Sequence, residues 1–185
     1  GDLRFADVLA EMGCHVKKDV DSITVTGPEE MLGGIVNNCA DMPDVVPTLA
    51  LVGAFSRGRT RLHGVPHLRY KESDRIASVA SELRKLGVEV RELDDGLEVI
   101  GPEGPDSFSM QGARIDSWGD HRIAMALSLA GLLVPGVEIG DPQVVTNSFP
   151  GYFREMGGLG GASTFFSAEG AELAVEGDGS CCLLY

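Results

Sequence analysis

Charged residues of both signs gather where an apolar helical pattern begins. Lys71, Glu72, Asp74 and Arg75 come immediately before or at the start of a run in which Ile76, Val79, Ala80 and Leu83 are spaced i, i+3, i+4, i+7. A helix N-terminus favours anions, so its dipole alone would not put Lys71 and Arg75 there. An anionic ligand docked on the first turn reconciles the two, because free backbone N–H groups and both cations would then hold it together. A solvated turn with internal ion pairs gives the same pattern, and exposed pairs contribute little to stability. A second segment repeats the arrangement. Asp120, His121 and Arg122 open an apolar run that carries through Leu127, Leu129 and Ala130 towards Leu133.

The string Lys71-Glu72-Ser73-Asp74-Arg75 and the string Gly119-Asp120-His121-Arg122-Ile123-Ala124-Met125-Ala126 are specific. With the stretch from Ala40 to Ala50 and a closing segment, Asp141-Pro142 then Ser148 to Phe153, they resemble the 5-enolpyruvylshikimate-3-phosphate (EPSP) synthases, or 3-phosphoshikimate 1-carboxyvinyltransferases. The strings stand in that family's order and approximate spacing. The resemblance runs from about Asp2 to about Gly161 and matches only the C-terminal part of such an enzyme. It implies a transferase of the shikimate pathway, in aromatic amino-acid biosynthesis. The enolpyruvyl group of phosphoenolpyruvate passes to the 5-hydroxyl of shikimate 3-phosphate, and phosphate is released. The implied route is addition then elimination through a tetrahedral intermediate, with no metal and no organic cofactor. Such chemistry needs cations for two phosphates and a carboxylate, a base near a hydroxyl, and a proton donor for a vinyl carbon.

By the resemblance, Arg75 and Arg122 match the arginines that grip phosphoenolpyruvate, where a planar fork suits carboxylate and phosphate better than lysine does. Asp44 matches an aspartate that binds the shikimate hydroxyls and accepts a proton. As a bare sequence feature it also reads as a helix N-cap, worth ~1 kcal/mol. Lys71 matches a lysine touching shikimate 3-phosphate, and Glu72 a carboxylate beside the reacting carbon. His121 and His67 stand in second rank, His67 at a position where some members carry asparagine. Asn147 is a departure, since many members have lysine just before the Ser-Phe-Pro string. The family's N-terminal domain supplies further cations and a Ser-Ser-Gln string, and none of these is present here. That domain is therefore an expected partner, and reaction would depend on the two domains closing over the substrates.

The elements that must position these residues repeat. Phe5, Val8, Leu9 and Met12 form an amphipathic helical pattern stopped by Gly13, and Ile76, Val79, Leu83 and Leu86 form another stopped by Gly87, 74 residues later. Each is followed by alternating strands around an acidic turn, at Asp19 and Asp21 or Asp94 and Asp95, and each hairpin ends in Gly-Pro. Asp44 and Asp120 then each precede an apolar helix that leads through glycine to a short strand. The pattern predicts an α/β fold of pseudosymmetric units, each helix, hairpin, strand, helix, strand. The period is too long for a thin solenoid. The resemblance adds that helices pack inside and sheets lie outside. A third helix is expected near Gly151 to Phe153.

The chain has 185 residues, enough for one domain with a real core. Net charge of −13 argues against nucleic acid and against anionic membranes. Six of its fifteen basic residues nevertheless fall between Arg57 and Arg75, so a cationic patch can exist within an acidic protein. Cys14, Cys39, Cys181 and Cys182 have no metal-ligand or disulfide-framework spacing, which fits a reducing cytoplasm. His63 and His67 flank Gly64 and Pro66, which spoil a helical metal pair.

The expected organisation is a C-terminal enolpyruvyl transferase-like domain over residues 1–161, with two repeats and part of a third, and a tail over 162–185 that includes a degenerate third hairpin. The opening at Gly1 suggests a piece of a longer chain with little or no activity on its own. The alternatives are a noncatalytic single-domain protein or truncated product that keeps the fold. A UDP-N-acetylglucosamine enolpyruvyl transferase is disfavoured by the Lys-Glu-Ser-Asp-Arg string.

Overall fold

The computed structural model describes residues 2–161, 163–166 and 172–173. Its first unit opens with α1 (Arg4–Glu11), which turns Ala6 and Val8 inward and stops at Gly13, φ 119°. That left-handed conformation costs a residue with a Cβ, which is why glycine stands there and again at Gly87, φ 89°. The hairpin β1 (His15–Lys18) and β2 (Ile23–Thr26) follows, then β3 (Val36–Asn38), α2 (Val46–Ala54) and β4 (Arg59–His63).

The second unit has the same order. It runs α3 (Arg75–Lys85), hairpin β5 (Glu89–Leu93) and β6 (Gly96–Ile100), then β7 (Arg114–Ile115), α4 (His121–Ser128) and β8 (Glu138–Ile139). A third helix, α5 (Tyr152–Gly158), is entered through Gly151. Two-residue strands β9 (Phe165–Phe166) and β10 (Glu172–Leu173) pair antiparallel. The rest of the expected tail lies outside the described residues.

Pairing echoes the repeat. In each unit the strand before the second helix runs parallel to the strand after it, β3 with β4 and β7 with β8. The units are joined by β4, which pairs antiparallel with β6 to give a four-stranded sheet of order β3-β4-β6-β5. Backbones approach closely at the end of β6, where a Cβ on Gly101 would lie 1.8 Å from the Ser56 carbonyl oxygen. The hairpins are not equivalent in packing. β5–β6 lies on the core, whereas β1–β2 forms its own two-stranded sheet with only Val16 half-buried.

The helices lie inside. α2 is apolar on every side and buries Val46, Pro47, Leu49, Ala50, Leu51, Gly53 and Ala54, as a central helix must. α3 and α4 pack against it. The apolar run after Asp120 divides, with α-helix ending at Ser128 and a 3-10 turn continuing over Leu129–Leu132. Leu132 and Leu133 are thereby left exposed.

Candidate active site

Glu72, Arg75, Asp120 and Arg122 from the two charged strings meet Asp44 at the N-terminal ends of α2, α3 and α4. Asp74 caps α3, its Oδ1 accepting from the Ala77 N–H at 3.0 Å. Asp120 caps α4, accepting from the Arg122 N–H at 2.9 Å. Asp44 is no cap. It sits in a 3-10 turn, Pro43–Val45, that runs directly into α2, and the capping position falls on Val45 with no side-chain bond. Its carboxylate is drawn to two guanidinium groups instead.

Arg75 is the hub. Its Nη1 donates to Asp44 Oδ1 at 2.8 Å and its Nη2 to Glu72 Oε2 at 2.7 Å. Its Nε donates to Asp120 Oδ2 at 2.8 Å, and Nη2 reaches Asp120 Oδ1 at 3.3 Å, a two-pronged grip. Ser73 Oγ adds a bond to Asp120 at 3.0 Å. Arg75 is 1% exposed and Asp120 is fully buried, so their charges survive only because each satisfies the other. Burial works against the Arg75 cation, but the bond and charge of Asp120, with Glu72 and Asp44, outweigh it and hold the guanidinium above its ordinary value. Burial likewise pushes Asp120 up, and the Arg75 bond, the Arg122 N–H and Ser73 overcome it, leaving the carboxyl below the usual carboxylate range.

Arg122 is the accessible cation. Its Nη2 lies 3.2 Å from Asp44 Oδ2, so Asp44 bridges the two arginines, one on each oxygen. Asp44 and Arg122 line a cleft of about 200 Å³ with Thr48, Met125, Ala126, Leu129, Tyr152 and Met156. Arg122, Met125, Ala126 and Leu129 form one face of α4 and the 3-10 turn that continues it, at i, i+3, i+4, i+7. The cleft is mostly apolar, and its one acid and one cation are paired with each other. The tyrosine that closes it is buried, its hydroxyl donating to the Met125 carbonyl at 3.0 Å.

Arg75, expected by the resemblance to grip phosphoenolpyruvate, does not open onto the cleft and is closed in by three carboxylates. Lys71 is exposed on the extended residue between the 3-10 turn Pro66–Tyr70 and α3, and has no ion-pair partner among the described residues. Glu72 is half-exposed. His121 is the half-buried first residue of α4, His67 is exposed on Pro66–Tyr70, and Asn147 is exposed at the end of the 3-10 helix Pro142–Asn147, which packs on α4. None of these three hydrogen-bonds to the cluster. Among the described residues no group of three His, Cys, Asp or Glu side chains could hold a metal ion. Sequence reasoning missed Asp120 and Ser73 as partners of Arg75. A capping acid adjacent to a candidate ligand residue was the available signal for Asp120; Ser73, inside the charged string itself, offered none.

Two repeats of helix, hairpin, strand, helix, strand, closed by parallel strand pairs around inner helices, define the enolpyruvyl transferase fold. The EPSP synthase from Acinetobacter baumannii superposes with a TM-score of 0.71 at 30% identity, covering 82% of this chain and 37% of that one. The enolpyruvyl transferase NikO from Streptomyces tendae shares the fold with a TM-score of 0.67 at 24% identity, covering 85% of this chain and 35% of its own. The family model for EPSP synthase (3-phosphoshikimate 1-carboxyvinyltransferase) matches residues 1–156, and the chain belongs to that family. The 3-phosphoshikimate 1-carboxyvinyltransferase of Syntrophobacter fumaroxidans is 49% identical over 154 residues, 83% of this chain and 35% of the relative. That of Nostoc punctiforme is 43% identical over 157 residues, 84% of this chain and 35% of the relative. The chain thus spans about a third of the length of these relatives. No helix among the described residues is long and apolar enough to cross a membrane.

Proposed function

We propose that this chain supplies one side of an enolpyruvyl transfer site, part of a longer cytoplasmic enzyme that uses phosphoenolpyruvate and shikimate 3-phosphate. The observation that carries the reading is the Asp44 bridge, one carboxylate joining the buried Arg75 to the accessible Arg122 beside a small cleft. An anion entering that cleft competes with Asp44 for Arg122. Once Arg122 turns to the phosphoenolpyruvate carboxylate or phosphate, Asp44 Oδ2 is released to accept the proton of the 5-hydroxyl. The hydroxyl oxygen then bonds to C2 of phosphoenolpyruvate while C3 takes a proton from Glu72, a half-exposed carboxyl that would have to enter the step protonated. Return of a C3 proton to Glu72 and departure of phosphate from C2, carrying the proton held by Asp44, restore the double bond and both carboxyl groups. Arg75 holds Asp44, Glu72 and Asp120 in register throughout, and the exposed Lys71 is assigned to the second substrate's phosphate.

Binding can be tested without turnover. Phosphoenolpyruvate titrated into the isotopically labelled chain should shift the amides of Lys71, Arg122 and the first turn of α4, with a Kd near 1 mM, about −4 kcal/mol. Added salt should weaken it, since the cleft is open to water. Arg122→Ala should abolish the shifts. Shifts that are absent, or that persist in Arg122→Ala, would favour a noncatalytic protein that retains the fold.

A further inference from the structure

Glu82 is a fully buried carboxylate in the third turn of α3, seven residues after Arg75. Seven residues is close to two helical turns, about 10 Å along the axis, so both side chains leave α3 on the same face. Both reach the same short segment. Arg75 grips its end at Asp120. Glu82 grips its start, Oε2 accepting from the Asp116 N–H at 2.9 Å and Oε1 from Trp118 Nε1 at 2.8 Å. Lys85 Nζ, at 2.6 Å from Oε2, supplies the counter-charge that a buried carboxylate requires.

The segment held in this way has a strained backbone. Trp118 has φ 56° and Gly119 φ 66°. A bulky residue in the left-handed region persists only where its surroundings over-determine it. Local bonds shape the turn, with the Trp118 N–H donating to Asp116 Oδ1 at 2.8 Å and the Gly119 N–H to Ser117 Oγ at 3.2 Å. Among the described residues, only Glu82 ties the start of that turn to α3 through side-chain bonds. Trp118 is 49% exposed, so burial of its ring does not explain its place.

We propose that Glu82 and Trp118 form a latch that positions the segment from Asp116 to Asp120, and through Asp120 sets Arg75 and the first turn of α4 with Arg122. Glu82 is then a positioning residue for the anion site, and this functional consequence rests on the reading of that site as a phosphoenolpyruvate clamp. Trp118 is the chain's single tryptophan, so its indole N–H gives one resonance at the near end of the latch. The Arg75 Nε–H and Arg122 amide resonances report the far end. Glu82→Gln keeps one acceptor oxygen and loses the other with the charge. Trp118→Phe removes the indole donor and leaves Glu82 its bonds to Asp116 and Lys85, so it decides the matter if Glu82→Gln does not fold. Val99→Ala, in β6, lowers stability outside the segment and serves as control.

Both latch variants should shift the Arg75 and Arg122 resonances and weaken phosphoenolpyruvate binding roughly fivefold, part of the roughly tenfold or more that one hydrogen bond to a charged group can carry. Val99→Ala should do neither. If the Arg75 and Arg122 resonances stay fixed in both latch variants, there is no latch, whatever the affinity. If they move while the unsubstituted chain itself binds no phosphoenolpyruvate, the latch stands and the reading of the clamp falls.

Discussion

The guanidinium of Arg75 stands where three helix N-termini meet, and its charge is balanced entirely by side chains from different parts of the sequence. Asp44 comes from the turn before α2, Glu72 from the turn before α3 and Asp120 from the cap of α4. Removing one member of a buried pair strands the other, which costs about 3–5 kcal/mol. Arg75→Met should therefore lower Tm by roughly 10 °C, whereas Arg122→Ala, at a side chain one-third exposed, should cost under about 1 kcal/mol. Equal, mild losses in a thermal melt would mean that the cluster does not tie the helices together. The pH dependence has a definite sign. Asp120 is depressed in the folded state, so its stabilisation is present above the unfolded aspartate value of about 3.9 and is lost as pH falls through the folded value. Asp120→Asn should be less stable at pH 7 and lose less further stability in acid than the parent, which denaturant melts between neutral and acidic pH would register.

The elements were the most legible level. Apolar spacing and the glycine stops 74 residues apart placed α1 and α3 to within a residue, because helix periodicity and the left-handed stop are local properties. Asp44 misled because the sequence cannot reveal that a 3-10 turn leads straight into α2 and moves the cap to Val45. Glu82 offered a signal that went unread. Arg75, Val79, Glu82 and Leu86 form one stripe at i, i+4, i+7, i+11, and an acid on a stripe shared with core residues needs a buried partner. Nothing local distinguishes the two hairpins, since their difference arises from whether β4 lies alongside. That difference is measurable. A strand pair exposed on both faces opens cheaply, so β1–β2 amides should exchange with solvent well before those of β4 and β6. Equal protection would mean that something covers the first hairpin in solution.

At the scale of the whole molecule, a net charge of −13 is compatible with the proposed anion site because the potential inside a cleft is set by its nearest groups. Arg122 lines the cleft and Lys71 is exposed just before α3, while the three acids of the cluster all face Arg75. The site has one wall. The chain spans about 35% of its relatives' length, and the cations expected on a facing domain are absent from it. With water left in the cleft, screening weakens each charge contact, and no second surface aligns the two substrates. The isolated chain should therefore release phosphate from phosphoenolpyruvate and shikimate 3-phosphate at or near background. The N-terminal half of a family member, added in trans, should tighten phosphoenolpyruvate binding at Arg122 and produce turnover, because closure excludes water and completes the set of cations. A Lys71→Ala chain in the same mixture should raise KM for shikimate 3-phosphate more than for phosphoenolpyruvate, placing that lysine on the acceptor's phosphate. Robust catalysis by the 185-residue chain alone would show instead that Asp44, Glu72, Arg75 and Arg122 form a self-contained site.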